Sequence, residues 1–152
     1  MFEQVQPRLL SDWLEQALQD LRTCEADSRY RVGMFTWCRY NPDERVCQVC
    51  LAGSLLVQSL HWPMYQTCFY QIDGGQPAWA LLRALNWLRC GELPKALASA
   101  AGSPLVLHTA RLQQLCQQGL PEFLPPSSYH LAREAFFRDM QRVWHQLRHW
   151  KV

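Results

Sequence analysis

Charge is scarce in this chain and uninterrupted apolar runs are short, and the two shortages together narrow what it can be. Asp, Glu, Lys and Arg supply 18% of the 152 residues while hydrophobic residues supply 49%. That is the reverse of the composition that keeps a chain disordered, so one buried core is expected. The longest apolar stretch, Val46 to Val57, is broken by Gln48 and Ser54 and falls short of the roughly 18 residues that a membrane-spanning helix needs. No basic patch precedes an apolar stretch in Met1 to Arg8, so no secretory signal is expected. Seven cysteines at irregular spacing suit free, buried thiols in a reducing compartment, and the expectation is a cytoplasmic protein without membrane contact.

Catalytic signatures are equally scarce. The chain contains no Gly-x-x-x-x-Gly-Lys and no Gly-x-Ser-x-Gly, Asp73-Gly74-Gly75 is too short to cradle a phosphate, and no carboxylate pair shares an apolar helix face. The expectation is therefore no catalytic residue, no cofactor and no metal. Three readings of a metal- or thiol-dependent enzyme remain beside it. Cys47-Gln48-Val49-Cys50 is a Cys-x-x-Cys, which in redox proteins opens a helix after a strand; here both cysteines fall inside an expected helix and read as small buried residues. Cys38, Cys47, Cys50, His61 and Cys68 lie near one another in sequence, but at spacings that fit no standard zinc pattern. A cysteine paired with a histidine base is formally available from seven Cys and five His, with nothing local to select the pair.

Periodicity points to a mainly α fold with a small β component. Trp13, Leu14, Ala17, Leu18 and Leu21 line one face of a first helix from a Ser11 cap to about Cys24. Ser28 to Tyr40 alternates with period two and is read as a strand. Asn41-Pro42-Asp43-Glu44 has cap, first-turn proline and capping-box acid in place, so a helix is expected, with a hairpin into a strand at Arg45 to Val49 as the rival. Along that helix Val46, Val49, Cys50, Gly53, Val57 and Leu60 make one apolar stripe, and Gly53 marks a close approach by another element. Further helices are expected from Gln76-Pro77 to Gly91, between Ser103-Pro104 and Gly119, and from Ser127 or Ser128 to Trp150. The expected architecture is one domain over 1–152, a compact helical bundle around a buried central helix at about 42–60, with short strands at about 29–38 and 64–72.

Two helix faces stand out as partner surfaces. In the helix after Gln76, Ala78, Leu81, Leu82, Leu85 and Leu88 form the core arc and Trp79, Arg83 and Trp87 lie opposite. Trp and Arg concentrate at interface centres, although the tryptophans fit equally a helix sandwiched between layers, with Arg83 stacked on a ring. In the final helix Tyr129, Ala132, Phe136, Met140, Val143, Leu147 and Trp150 form the core stripe, and Arg138, Arg142, His145 and His149 the opposite row. That row suits an acidic protein surface or phosphates, and histidines in it would strengthen binding as pH falls below ~6.5. It fits a merely solvated face as well, since Glu134 and Asp139 dilute it. The net charge of +2 conceals six acids against two Arg in Met1 to Ser28, and five bases against two acids in Ser128 to Val152. Side-by-side packing of the first and last helices would account for that polarity.

Cys50-Leu51-Ala52-Gly53-Ser54-Leu55, preceded by the aromatic segment around Phe35 and Trp37, resembles a Cys-Leu-Ala-Gly-Ala stretch in small uncharacterised proteins of bacteriophages and bacterial mobile regions. The resemblance covers about Tyr30 to Leu60 and departs at Ser54. It implies an accessory-genome protein, for which binding and inhibiting a host protein is a common way of acting. The expected function is a non-catalytic protein-binding inhibitor or accessory protein with a host protein, or a second copy of itself, as partner. Its alternative is nucleic-acid binding through the basic row.

Overall fold

The structure, a computed structural model, describes residues 8–34, 37–65, 78–103, 105–120 and 122–152. Among them are six helices and a three-stranded sheet, in the order α1 Leu10–Glu25, β1 Tyr30–Val32, β2 Cys38–Asn41, β3 Val46–Val49, α2 Leu51–Gln58, α3 Trp79–Arg89, α4 Leu93–Ala100, α5 Thr109–Gln118 and α6 Arg133–His149. The fold is mainly α with a small β component in one compact domain. Its apolar residues form one continuous core, from Leu10 of α1 to Val152 beyond α6.

The first correction concerns the central helix. The expected helix at about 42–60 is instead a hairpin, β2 and β3, followed by the shorter α2. Asn41 does accept hydrogen bonds from the backbone N–H groups of Asp43 and Glu44, at 3.0 and 3.2 Å. The bonds that cap a helix also close a turn, and Arg45 at φ 56° carries the chain round in the left-handed region. Beyond the turn, Cys47 and Val49 are buried while Val46 and Gln48 are half-exposed, the period of a strand. β3 is the middle strand, in the order β1-β3-β2. β1 runs parallel to it with Tyr30 opposite Cys47; β2 runs antiparallel with Cys38 opposite Val49 and Tyr40 opposite Cys47.

The expected strand at about 29–38 is likewise divided, into β1 and the start of β2, because the chain must leave one edge of β3 and reach the other. Of the expected strand at about 64–72, Met64 and Tyr65 form a turn and the rest lies outside the described residues. In α1 the entry residue is Leu9 rather than Ser11; Asp12 accepts from the Leu9 N–H at 3.2 Å, and Ser11 is buried within the helix. A helix from Pro104 is replaced by α5 starting at Thr109, with α4, which no expectation covered, ahead of it. α6 begins at Arg133 because the Ser127 hydroxyl donates to Asp139 instead of capping, and residues 129–131 make a turn. Ala132, expected in the α6 core stripe, is exposed, and Phe137 is buried in its stead.

α2 is the helix with no polar side. Every residue from Leu51 to Val57 is buried, between α1 on one flank and α3 on another. Gly53 is where the chain passes closest: a Cβ there would lie 1.3 Å from the carbonyl oxygen of Trp37. The same carbonyl accepts the N–H of Cys50 at 3.3 Å, so the start of α2 is seated directly on the segment leading into β2. Burying leucines such as Leu51, Leu55 and Leu56 contributes about 2 kcal/mol each to folding.

Candidate functional site

α1 and α6 lie antiparallel and are tied at both ends. Arg133, at the start of α6, donates through Nε and Nη2 to the two carboxylate oxygens of Glu25 at the end of α1, each at 2.6 Å, and the Tyr129 hydroxyl donates to Glu25 as well. At the other end Arg148 donates to Asp12 at 2.6 Å. Burial pushes the Glu25 carboxyl up, but the bonds from Arg133 and Tyr129 outweigh it and hold the group below its ordinary value. Part of the charge polarity between the chain's two ends is thus satisfied internally, as side-by-side helices would have it.

What is left over is the outer row. Arg138, Arg142, His145 and His149 are all exposed, while Phe136, Met140, Val143 and Leu147 are buried on the other side of α6. Three neighbours shape the row. Arg142 donates to the carbonyl of Leu124 at 3.1 Å and lies over the ring of Phe123, 5.7 Å from its centre. Asp139 accepts from the N–H and hydroxyl of Ser127 at 2.9 and 2.8 Å, bonds that hold its carboxyl below the ordinary range. Arg138 approaches that carboxylate only to 3.9 Å. The loop before α6 is therefore strapped along the helix, and at Pro125 it packs on Gly91, where a Cβ would meet the proline ring at 2.4 Å.

This strapping leaves a slot of about 100 Å³ between Glu122, Phe123, Arg142, Gln146 and Trp150. Beside it Leu124 stands 61% exposed, its carbonyl held by Arg142. Phe123 and Leu124, expected in a stiff surface loop, belong to neither of the two helix faces read as partner surfaces. The signal was present in the stiff Pro125-Pro126 that follows them, but which helix the loop would lie against was not legible.

Trp79, Arg83 and Trp87 share one face of α3 with unequal exposure. Trp79 is half-buried with its ring 5.4 Å from that of Trp37, Trp87 is half-buried, and Arg83 is exposed with its guanidinium 4.9 Å from the Trp87 ring. Both tryptophans pack against the core, which leaves Arg83 as the exposed member of the stripe.

Cys47 and Cys50 are buried, as small core residues would be, but they do not share a helix. Cys47 lies in β3 and Cys50 at the start of α2, so the Cys-x-x-Cys does run from a strand into a helix. Cys50 accepts the Gly53 N–H at 3.4 Å, and full burial pushes its thiol up. Cys24 accepts from Gln58 at 3.5 Å, and burial pushes its thiol up to about 11. A thiol so displaced is a poor nucleophile at neutral pH. Cys47 faces not Cys50 but Cys38 across the hairpin, with sulfurs 3.4 Å apart. His61 is exposed, Cys68 lies outside the described residues, and among the described residues no group of three ligands has metal-binding geometry.

A second concavity, of about 450 Å³, lies on the outer face of the sheet, where Arg31, Gln48 and Arg39 form a row across the three strands. Arg31 pairs with Glu44 at 2.8 Å and Asp43 also lines the space, so its charges nearly cancel. Among the described helices none is long and apolar enough to cross a membrane. Comparison with family models, with curated proteins and with solved structures finds no match to this chain.

Proposed function

We propose that this chain is a non-catalytic protein-binding protein that receives an acidic partner surface on the outer face of α6. The observation that carries the reading is the row Arg138, Arg142, His145 and His149, exposed along one side of a helix whose other side is core. Arg142 is already held by Leu124 and Phe123 beside a slot open to a partner's side chain. A cation fixed before binding loses less conformational freedom on association, and like-signed neighbours steer an acidic partner inward. The displaced thiols of Cys24 and Cys50 argue against covalent catalysis at those positions. In its sharpest form the protein is a phage-encoded inhibitor that occupies a host defence protein, a form supported by the resemblance around Cys50 to Leu55 alone.

The test is capture from bacterial lysate at low and at physiological salt, with nuclease present. The reading expects one protein recovered in stoichiometric amount whose retention falls as salt rises and survives nuclease. Recovery of no stoichiometric partner at either salt contradicts it. Binding of duplex or single-stranded probes at ~50 mM salt, abolished by neutralising the same row, would replace the protein partner with nucleic acid.

A further inference from the structure

We propose that Cys38 and Cys47 form a reversible oxidation site, at which a small peroxide converts the two thiols into a disulfide across the β2–β3 hairpin and low-molecular-weight thiols restore them. The two sulfurs are 3.4 Å apart on the inner face of the hairpin. Cys38 is opposite Val49 and Cys47 opposite Tyr40, which makes the two cysteines diagonal neighbours. Closing the gap to the ~2.05 Å of a disulfide needs rotation of the two side chains together with a small approach of the two strands.

The pair has an internal division of labour. Either sulfur can donate to the other across this contact; with Cys38 donating, the bond lowers the Cys47 thiol from its ordinary value while the partner's is raised. In that arrangement the Cys47 sulfur attacks and the Cys38 thiol resolves. In the first step the Cys47 sulfur attacks one peroxide oxygen and the O–O bond breaks. The departing hydroxide takes a proton to become water, and Cys47 is left as a sulfenic acid. In the second, the Cys38 sulfur attacks Cys47 sulfur and expels hydroxide, which takes the Cys38 proton. Two thiols lose two electrons and two protons, and one peroxide becomes two waters.

Access and reversibility follow from the position. Both thiols are buried, but among the described residues β2 is an edge strand paired on one side, with β3, and residues 41–45 of its turn are exposed. Fraying of this hairpin admits a molecule as small as a peroxide. Diagonal neighbours across antiparallel strands have Cα atoms about 7–8 Å apart, wider than a relaxed disulfide prefers, and strain of that kind makes the bond easier to reduce. The geometry therefore favours a switch over a permanent staple.

The experiment uses the full chain with Cys68→Ser, Cys90→Ser and Cys116→Ser, which removes the two exposed thiols and the one not described. The native protein is treated with a modest excess of hydrogen peroxide, unfolded, alkylated and digested. The expected result is a peptide pair joined through Cys38 and Cys47, lighter by two hydrogens, with Cys24 and Cys50 alkylated; dithiothreitol should restore both free peptides. Cys50→Ala should leave the link intact, and Cys38→Ala should abolish it and drive Cys47 on to sulfinic acid. Cys38 and Cys47 recovered as free thiols, or a link through Cys50, would overturn the proposal. Should Cys38→Ala fail to fold, the peptide map of the unsubstituted pair decides alone.

Discussion

α2 and α6 are opposite solutions to the same problem of placing a helix. From Leu51 to Val57 every residue of α2 is buried, so each side chain there answers to packing and none is free to answer to anything else. α6 buries Phe136, Phe137, Met140, Val143 and Leu147 and leaves Arg138, Arg142, His145 and His149 in solvent. Nothing in the fold requires Arg138, His145 and His149 to be basic. The difference teaches where function can reside: residues that folding does not constrain are the ones a partner can select.

The strongest way to break that comparison is at Gly53. Replacing it by Ala places a Cβ 1.3 Å from the Trp37 carbonyl oxygen, so strand entry and helix must separate. The cost should be about 3 kcal/mol or more, far outweighing the ~1 kcal/mol that Ala gains over Gly in a helix. Chemical denaturation measures it, and a Gly53→Ala protein as stable as the parent would remove α2 from the centre of the account.

The inner side of α6 should give an intermediate effect. Arg133→Ala deprives the partly buried Glu25 of its two-pronged partner and should lower stability at neutral pH, by less than the Gly53 change does. Glu25 is depressed in the folded state, so its contribution is present above its ordinary value of 4.5 and is lost as pH falls through the lower folded value. Unfolding curves from pH 7 downward should show the variant and the parent converging in acid.

Asp20 should behave with the opposite sign. It is buried between α1 and α2, accepts from Ser59 and Gln16, and is raised above 3.8 chiefly by burial. A raised carboxyl favours the fold when protonated, so its cost is present at neutral pH and disappears as pH falls through the folded value toward 3.8. Asp20→Asn keeps the hydrogen-bonding shape and should gain up to about 1 kcal/mol at neutral pH. A pH series that leaves parent and variant parallel would show that the group does not titrate there.

The smallest expected effect is on the outer row. Arg138→Ala and His149→Ala should each change stability by less than ~0.5 kcal/mol. Thermal melts check this, and a large loss from either would mean that the row serves its own domain.

What could be read beforehand follows the same division. Helix faces were legible where one period dominated: α1, α3 and α6 present the apolar arcs that spacing implies, and Gly53 in an apolar stripe rightly signalled a close approach. The span from Asn41 to Val49 was not, because cap, proline and acid serve a helix start and a hairpin turn alike, and only pairing with β1 decides between them. α4 was missed although Leu93, Ala96, Leu97 and Ala100 are buried at helical spacing behind Pro94. The arginines and histidines of α6 were legible as a row. Their setting against Phe123 and Leu124, and the meeting of Cys38 with Cys47, depend on which segments touch, and local pattern does not encode that.

The most direct measurement is the affinity of the captured partner for the parent and for a variant with Arg138, Arg142, His145 and His149 all changed to Ala, by titration at matched salt with a thermal melt of each. The account predicts an affinity reduced by about tenfold or more, the equivalent of about 1.4 kcal/mol, with the melting temperature nearly unchanged. Equal affinity, or a loss that appears only together with loss of the fold, would contradict it.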